Sequence, residues 1–303
     1  MTQHGFSNVE EEMAKGKLGR HETFTPRYGW LKKGFDAAVE NKNIFKEPFA
    51  IEKLGVGKNM VSSIRFWCLA FKLIDHNIEP TKLGQKLLSS DSGFDPYLED
   101  DASLWLLHWQ LFIPPFEAVS WPLAFNKCNL WSFETKDLSR IIYSAAQSYP
   151  GLAKGSFKSY QRDASCIIRM YTDENEKDSE IECPFTRLGL MYKTGEKNQV
   201  SFNTAFKPTL PSLIFAAVCF SYASHYLPPG QRSISLERLV FGVNSPGVAY
   251  KLPETAVGTY LDEARELIGG FQLVSRLGSV QLFFDELPDH LYDEALNHFY
   301  KKR

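Results

Sequence analysis

The 303-residue sequence predicts a mainly helical α+β fold, built from helix-turn-helix or winged-helix type units with small β-hairpin wings. Three observations predict it. Apolar residues recur at helical spacing along most of the chain. Strand-like stretches are few and short, and two pairs of them flank turns as hairpins. Apolar residues make up 44% of the chain, with 23 Phe, which is material for two or three packed cores and excludes a disordered chain.

In chain order, residues 1–22 read as a flexible N-terminus, and order is expected from Phe24. Trp30–Val39 reads as a helix with Leu31, Phe35 and Ala38 on one face. Pro48–Glu52 reads as a short helix, Leu54-Gly-Val-Gly57 breaks it, and Lys58–Ile74 is a longer helix. Pro80–Leu88 is polar, then strand-like, and Ser89–Pro96 is a loop. Asp100 or Asp101 caps a helix through Ser103–Leu111, which Pro114-Pro115 ends. Helices follow from Thr135, behind an apolar Trp131/Phe133 pair, and over Ser156–Tyr171. Thr172–Glu182 is acidic and marks the expected boundary between a first domain, 23–172, and a second, 183–303. The second opens on a hairpin, Phe185–Tyr192 with Gln199–Phe206. It continues with a buried helix (Leu213–Tyr226), a helix (Ser233–Phe241), a turn and an amphipathic helix (Thr255–Ile268). A hairpin, Gln272–Ser275 with Val280–Phe284, follows. Helix, turn, helix, hairpin is the order of a winged-helix module.

No apolar run reaches the roughly 18 residues of a membrane span, and no signal peptide is visible, so a cytoplasmic protein is expected. Cys68, Cys128, Cys166, Cys183 and Cys219 stand far apart with no Cys-x-x-Cys pair, which argues for buried reduced thiols and against structural zinc. The net charge of −2 is unevenly spread. From Lys15 to Lys72 there are twelve Lys/Arg against five Asp/Glu; from Asp75 to Glu117 there are two against eight. A chain so polarised can turn a basic face to phosphates and stay soluble.

The sharpest local motif is a helix-turn-helix at Pro48–Ile74. Ala50, Leu54, Val56, Val61 and Ile64 supply its apolar set, and Gly55 sits where the turn needs a positive φ. Lys58, Asn59, Ser62 and Ser63 are expected on the outer face of the second helix, with Arg65 just beyond, where a recognition helix reaches base edges. The same pattern also suits a plain helical hairpin or a protein contact. Gly55-Val-Gly-Lys58 lacks the spacing and the Ser/Thr of a phosphate loop, so no nucleotide cofactor is expected. Arg27, Lys32 and Lys33, interleaved with Tyr28, Trp30 and Leu31, suit phosphate contacts, or equally an aromatic staple with a solvated basic face.

Phe94–Asp101 is a dense acidic cluster beside an apolar helix. Asp95 and Glu99 could hold a divalent metal, Mg or Mn, with Asp100 beside them and His108 as a base, a candidate catalytic set. The plainer alternative makes the acids a helix cap and His108 a core histidine. No nucleophile elbow, His-Glu-x-x-His or Asp…Glu-x-Lys core is present, and the residues alone do not support catalysis.

Three stretches are longer than any of these motifs. They are Phe24-Thr-Pro-Arg-Tyr-Gly-Trp-Leu-Lys-Lys-Gly-Phe-Asp36, Leu54-Gly-Val-Gly-Lys-Asn-Met-Val-Ser-Ser-Ile-Arg-Phe-Trp67, and Asp95-Pro-Tyr-Leu-Glu-Asp100 with Leu104-Trp-Leu-Leu-His-Trp109. Together they resemble a bacterial domain-of-unknown-function family of DNA phosphorothioation operons, over nearly the whole chain and fading after about Tyr171. The resemblance implies a role in DNA sulfur modification and phage defence. It also implies double-stranded DNA as ligand, and a cysteine desulfurase, an ATPase and a PAPS-reductase-like enzyme as partners. It implies that the chain is the DNA-acting component, a nickase, without assigning catalytic residues. A non-catalytic DNA reader that recruits the sulfur-transfer enzymes, and a transcription regulator of the same operon, are the alternatives.

Overall fold

The structure, a computed structural model, describes residues 9–172, 183–276 and 278–301. The expected acidic linker falls almost wholly outside them. Among the described residues the first half carries α1 (Val9–Ala14), α2 (Trp30–Glu40), α3 (Ala50–Leu54), α4 (Lys58–Ala70) and α5 (Lys82–Leu88). It continues with α6 (Asp101–Trp109), α7 (Ser120–Lys127), α8 (Thr135–Ala146), α9 (Pro150–Ala153) and α10 (Phe157–Tyr171). The second half carries a hairpin, β1 (Met191–Lys193) and β2 (Val200–Phe202), then α11 (Ser212–Tyr226), β3 (Ser233–Ser235), α12 (Leu236–Phe241) and α13 (Pro246–Tyr250). It closes with α14 (Glu254–Arg265), β4 (Phe271–Arg276), β5 (Ser279–Phe284) and α15 (Pro288–Lys301). The expected mainly helical α+β class is the observed one.

The core is organised by two helices that are apolar all round. Every residue of α6 from Ala102 to Trp109 is buried, as is nearly all of α11. A helix without a polar face must sit between other layers. Accordingly α11 packs against α6, α14 and α15. The large polar side chains carried inward find partners, as most buried donors do. Trp109 Nε1 donates to Ser221 Oγ at 2.9 Å, Trp105 Nε1 to Thr209 Oγ1 at 3.1 Å, and the Tyr250 hydroxyl to the Trp105 carbonyl at 2.9 Å. The resulting core is continuous from Met13 to Leu296. All five cysteines are buried and free, as expected.

Several elements differ from expectation. Order starts before Phe24: α1 buries Met13, and the segment after it lies along α10 as a strap. There the Gly19 N–H donates to Asp163 Oδ1 at 2.9 Å, and the Thr23 N–H donates to His21 Nδ1. That leaves His21 Nε2 to carry the proton it donates to Asp163, 2.8 Å away. The segment expected to be strand-like at 80–88 is α5. The Thr81 hydroxyl caps it by accepting the Gly84 N–H at 3.0 Å. Gly84 obscures the helical pattern because it serves packing: a Cβ there would stand 2.1 Å from the Leu73 carbonyl oxygen. α4 stops at Ala70, four residues early, because Lys72 turns left-handed (φ 54°) and donates to the Gln110 and Pro115 carbonyls. Ser233–Ser235 is a strand, with Ile234 buried opposite Leu282, and only then does α12 begin. Strands β3, β5 and β4 form one antiparallel sheet in that order.

Candidate nucleic-acid interface

Helices α2, α3 and α4 form a compact three-helix unit. Its small core is Ala37, Ile44, Ala50, Leu54 and Val61, with Val56 and Phe45 packed against it. The expected apolar set is therefore in place, Ile64 being fully buried in the main core beside it. Gly55 closes α3 in the left-handed conformation, φ 61° and ψ 34°, which only glycine adopts without strain. The chain then re-enters a helix at Gly57.

The start of α4 is chemically open. Gly57 offers no side-chain cap, and no acid stands in the first turn. Its unpaired first N–H groups and the positive end of its dipole suit an anion. Lys58, Asn59 and Ser62 are exposed around that end. Ser62 Oγ makes one long bond, 3.4 Å, back to the Lys58 carbonyl. Ser63 does not share this face: it is fully buried, and its hydroxyl has no partner among the described residues. Position 63 lies on the side of α4 that carries Trp67, turned into the core. Arg65 is half-buried.

The expected phosphate-contacting residues in and just before α2 are mostly engaged within the protein. The Arg27 guanidinium stacks on Phe24 and Trp30, 5.4 and 5.2 Å from their ring centroids. Lys32 is only 8% exposed, and its ammonium donates to Asp36 at 2.6 Å and Ser90 at 2.7 Å, so the structure ties it to its own loop. Lys33 donates to the Leu54 carbonyl at 2.9 Å and so caps α3 at the turn. Together Lys32 and Lys33 fix the unit's geometry.

The acidic stretch is likewise spent on backbone. Asp95 is buried and accepts the Glu99 N–H at 2.9 Å through one carboxylate oxygen and the Asp100 N–H at 3.1 Å through the other. Asp100 caps α6 through the Ala102 N–H at 2.9 Å, and Asp101 pairs with Arg187. Glu99 is exposed. His108 lies inside the core, where Nε2 donates to the Ala249 carbonyl at 2.9 Å and Nδ1 accepts the Tyr171 hydroxyl at 2.7 Å. Burial lowers its pKa to about 3, so it is neutral and both ring nitrogens are committed. Among the described residues no group of three or more His, Cys, Asp or Glu converges to hold a metal. Asp95, Glu99, Asp100 and His108 do not fit a metal-assisted catalytic set here.

A crystal structure of SspB superposes with a TM-score of 0.87 at 34% identity, covering 95% of this chain and 90% of that one. A magnesium ion-bound SspB crystal structure gives 0.86 and 33% with the same coverage. No curated protein matches. The family model described as "Protein of unknown function (DUF4007)" matches residues 18–300. The chain belongs to the DUF4007 family and is SspB-like in structure.

Proposed function

We propose that this protein binds double-stranded DNA through the open end of α4, as the DNA-binding component of a bacterial DNA phosphorothioation and phage-defence system. The observation that carries this reading is the α4 N-terminus itself. It is an uncapped helix end bearing Lys58, Asn59 and Ser62, held by a glycine turn on a three-helix unit of helix-turn-helix form. Backbone N–H groups and Lys58 meet phosphate, and Asn59 offers the paired donor and acceptor that read adenine. The likeness to SspB supports membership of such a multi-protein system, and the family resemblance of the sequence implies a cysteine desulfurase, an ATPase and a PAPS-reductase-like enzyme as its partners. The order α11, β3, α12, α13, α14, β4, β5, with the short α13 between α12 and α14 and β3 beside β5, supports a winged-helix reading of the second half. Among the described residues no helix is long and apolar enough to cross a membrane, and a cytoplasmic location is part of the same DNA-binding proposal.

The test is a titration of short duplexes by fluorescence anisotropy. Lys58→Ala, Asn59→Ala and Ser62→Ala together should weaken binding, with Asn59→Ala alone flattening sequence preference by about 1–3 kcal/mol. Unchanged affinity and preference in a folded triple variant would refute the assignment.

One observation favours a second reading, in which the protein also nicks DNA: the magnesium ion in the similar crystal structure. Supercoiled plasmid should then be opened with Mg2+ and left intact with EDTA. Because Asp95 serves the backbone, Asp95→Asn should lower the melting temperature, whereas Glu99→Gln should leave any nicking unchanged.

A further inference from the structure

A second basic face, not anticipated from the sequence, lies on α8 and α10. Between residues 118 and 172 stand seven Lys/Arg and three carboxylates. None of the three acids faces outward freely. Glu134 and Asp137 form the reciprocal capping box at the start of α8, with the Glu134 N–H on Asp137 at 3.2 Å. Asp163 is 1% exposed and receives the Gly19 N–H, the His21 ring and the Ser120 hydroxyl. The exposed stripes are consequently of one sign: Lys136 and Arg140 on α8, Lys158 and Arg162 on α10. Tyr143 and Phe157, 37% and 38% exposed, meet edge to face at 5.4 Å and show where the two stripes adjoin.

The two basic faces are physically joined. The strap runs along α10, from Gly19 on Asp163 to the Thr23 carbonyl, which accepts from the Arg169 guanidinium. It continues through Arg27 into α2, carrying Arg20 and Arg27 between α10 and the three-helix unit. Charges set about 6 Å apart along each of two helices suit no single small anion. They suit a polymer with many regularly spaced negative charges.

We infer that the α8–α10 face is a second, sequence-independent contact for the DNA phosphate backbone, alongside the α4 end; this rests on the DNA-binding reading above. The experiment measures duplex affinity against salt concentration for the full chain. The variant Lys136→Ala/Arg140→Ala/Lys158→Ala/Arg162→Ala should bind about tenfold or more weakly. It should lose ~0.9 of the logarithmic salt slope per phosphate contact removed, equally for unrelated sequences. The half-variants Lys136→Gln/Arg140→Gln and Lys158→Gln/Arg162→Gln, with unchanged melting curves, should each lose part of the slope. A parental slope in the fourfold variant, while the α4 triple variant loses binding, overturns this face and leaves the α4 reading standing. Failure of the parent protein to bind any duplex overturns both. Binding of the parent, but not of the variant, to phosphatidylserine vesicles, with DNA affinity unaltered, assigns the face to membranes and overturns the proposal.

Discussion

The α2–α4 unit and the α12–α14 unit with its β3–β5–β4 sheet share a plan: helices around a tight turn, packed on a common core. Their outward helices differ in charge. α4 opens with Lys58 and Asn59 and has no acid in its first turn. α14 exposes Glu254, Thr255, Thr259, Asp262 and Glu263, and its Arg265 is drawn to Asp262 at 3.5 Å and Glu266 at 3.6 Å. Like charge repels phosphate, so the same arrangement of helices suits DNA in one place and not in the other. The inner face of α14 instead braces the second half. Tyr260 is buried there, its hydroxyl accepting the Lys207 N–H at 3.1 Å and donating to the Lys207 carbonyl at 2.8 Å.

Breaking each unit from within should separate stability from function. Ile64→Ala and Leu261→Ala both empty fully buried sites, and each should cost about 2–5 kcal/mol in urea denaturation. Under conditions where both variants remain folded, only Ile64→Ala should weaken DNA binding, since it supports α4. Equal loss in both would erase the distinction drawn here.

His108 joins the two halves, bonded to Tyr171 on one side and Ala249 on the other. Its folded pKa of about 3 lies below the ordinary histidine value of about 6.5. Stability from this group is therefore complete above pH 6.5 and is lost as acid protonates the unfolded chain first. About 2 kcal/mol should be gone by pH 5. Melting curves of the parent and of His108→Gln across pH 5–7 should show the steeper fall in the parent; parallel curves would contradict the buried neutral assignment.

Smaller effects probe the turn and the charge. Gly55→Ala forces a Cβ into the left-handed region at φ 61° and should cost about 1–2 kcal/mol, with a matching fall in DNA affinity. Removing repulsion by Asp262→Asn/Glu263→Gln should raise DNA affinity by less than about 1 kcal/mol, read by anisotropy at low salt. A decrease would show that α14 takes part in binding.

Much of the helical framework was legible in the sequence because its apolar spacing is regular. Trp30–Glu40, Thr135–Ala146 and Phe157–Tyr171 are examples, and Gly55 announced its turn. What escaped depended on partners distant in sequence. Gly84 weakened the helical pattern of α5 for the sake of Leu73, and Ser63 faces the core although its neighbours are polar. α15, which was not foreseen, shows its register through Leu291, Ala295 and Leu296 packed near α11. The acidic stretch at 94–101 looked like metal chemistry because composition cannot reveal that both oxygens of Asp95 are taken by backbone N–H groups. The basic α8–α10 face was hidden for the converse reason. Its three acids dilute the count in sequence but are capped or buried in the fold.

Amide hydrogen exchange with and without duplex DNA tests the central claim most directly. The account expects slowed exchange at the start of α4, residues 57–62, and unchanged exchange across α14, residues 254–265. Protection confined to α14, or no protection at the start of α4 in a DNA-saturated sample, would contradict it.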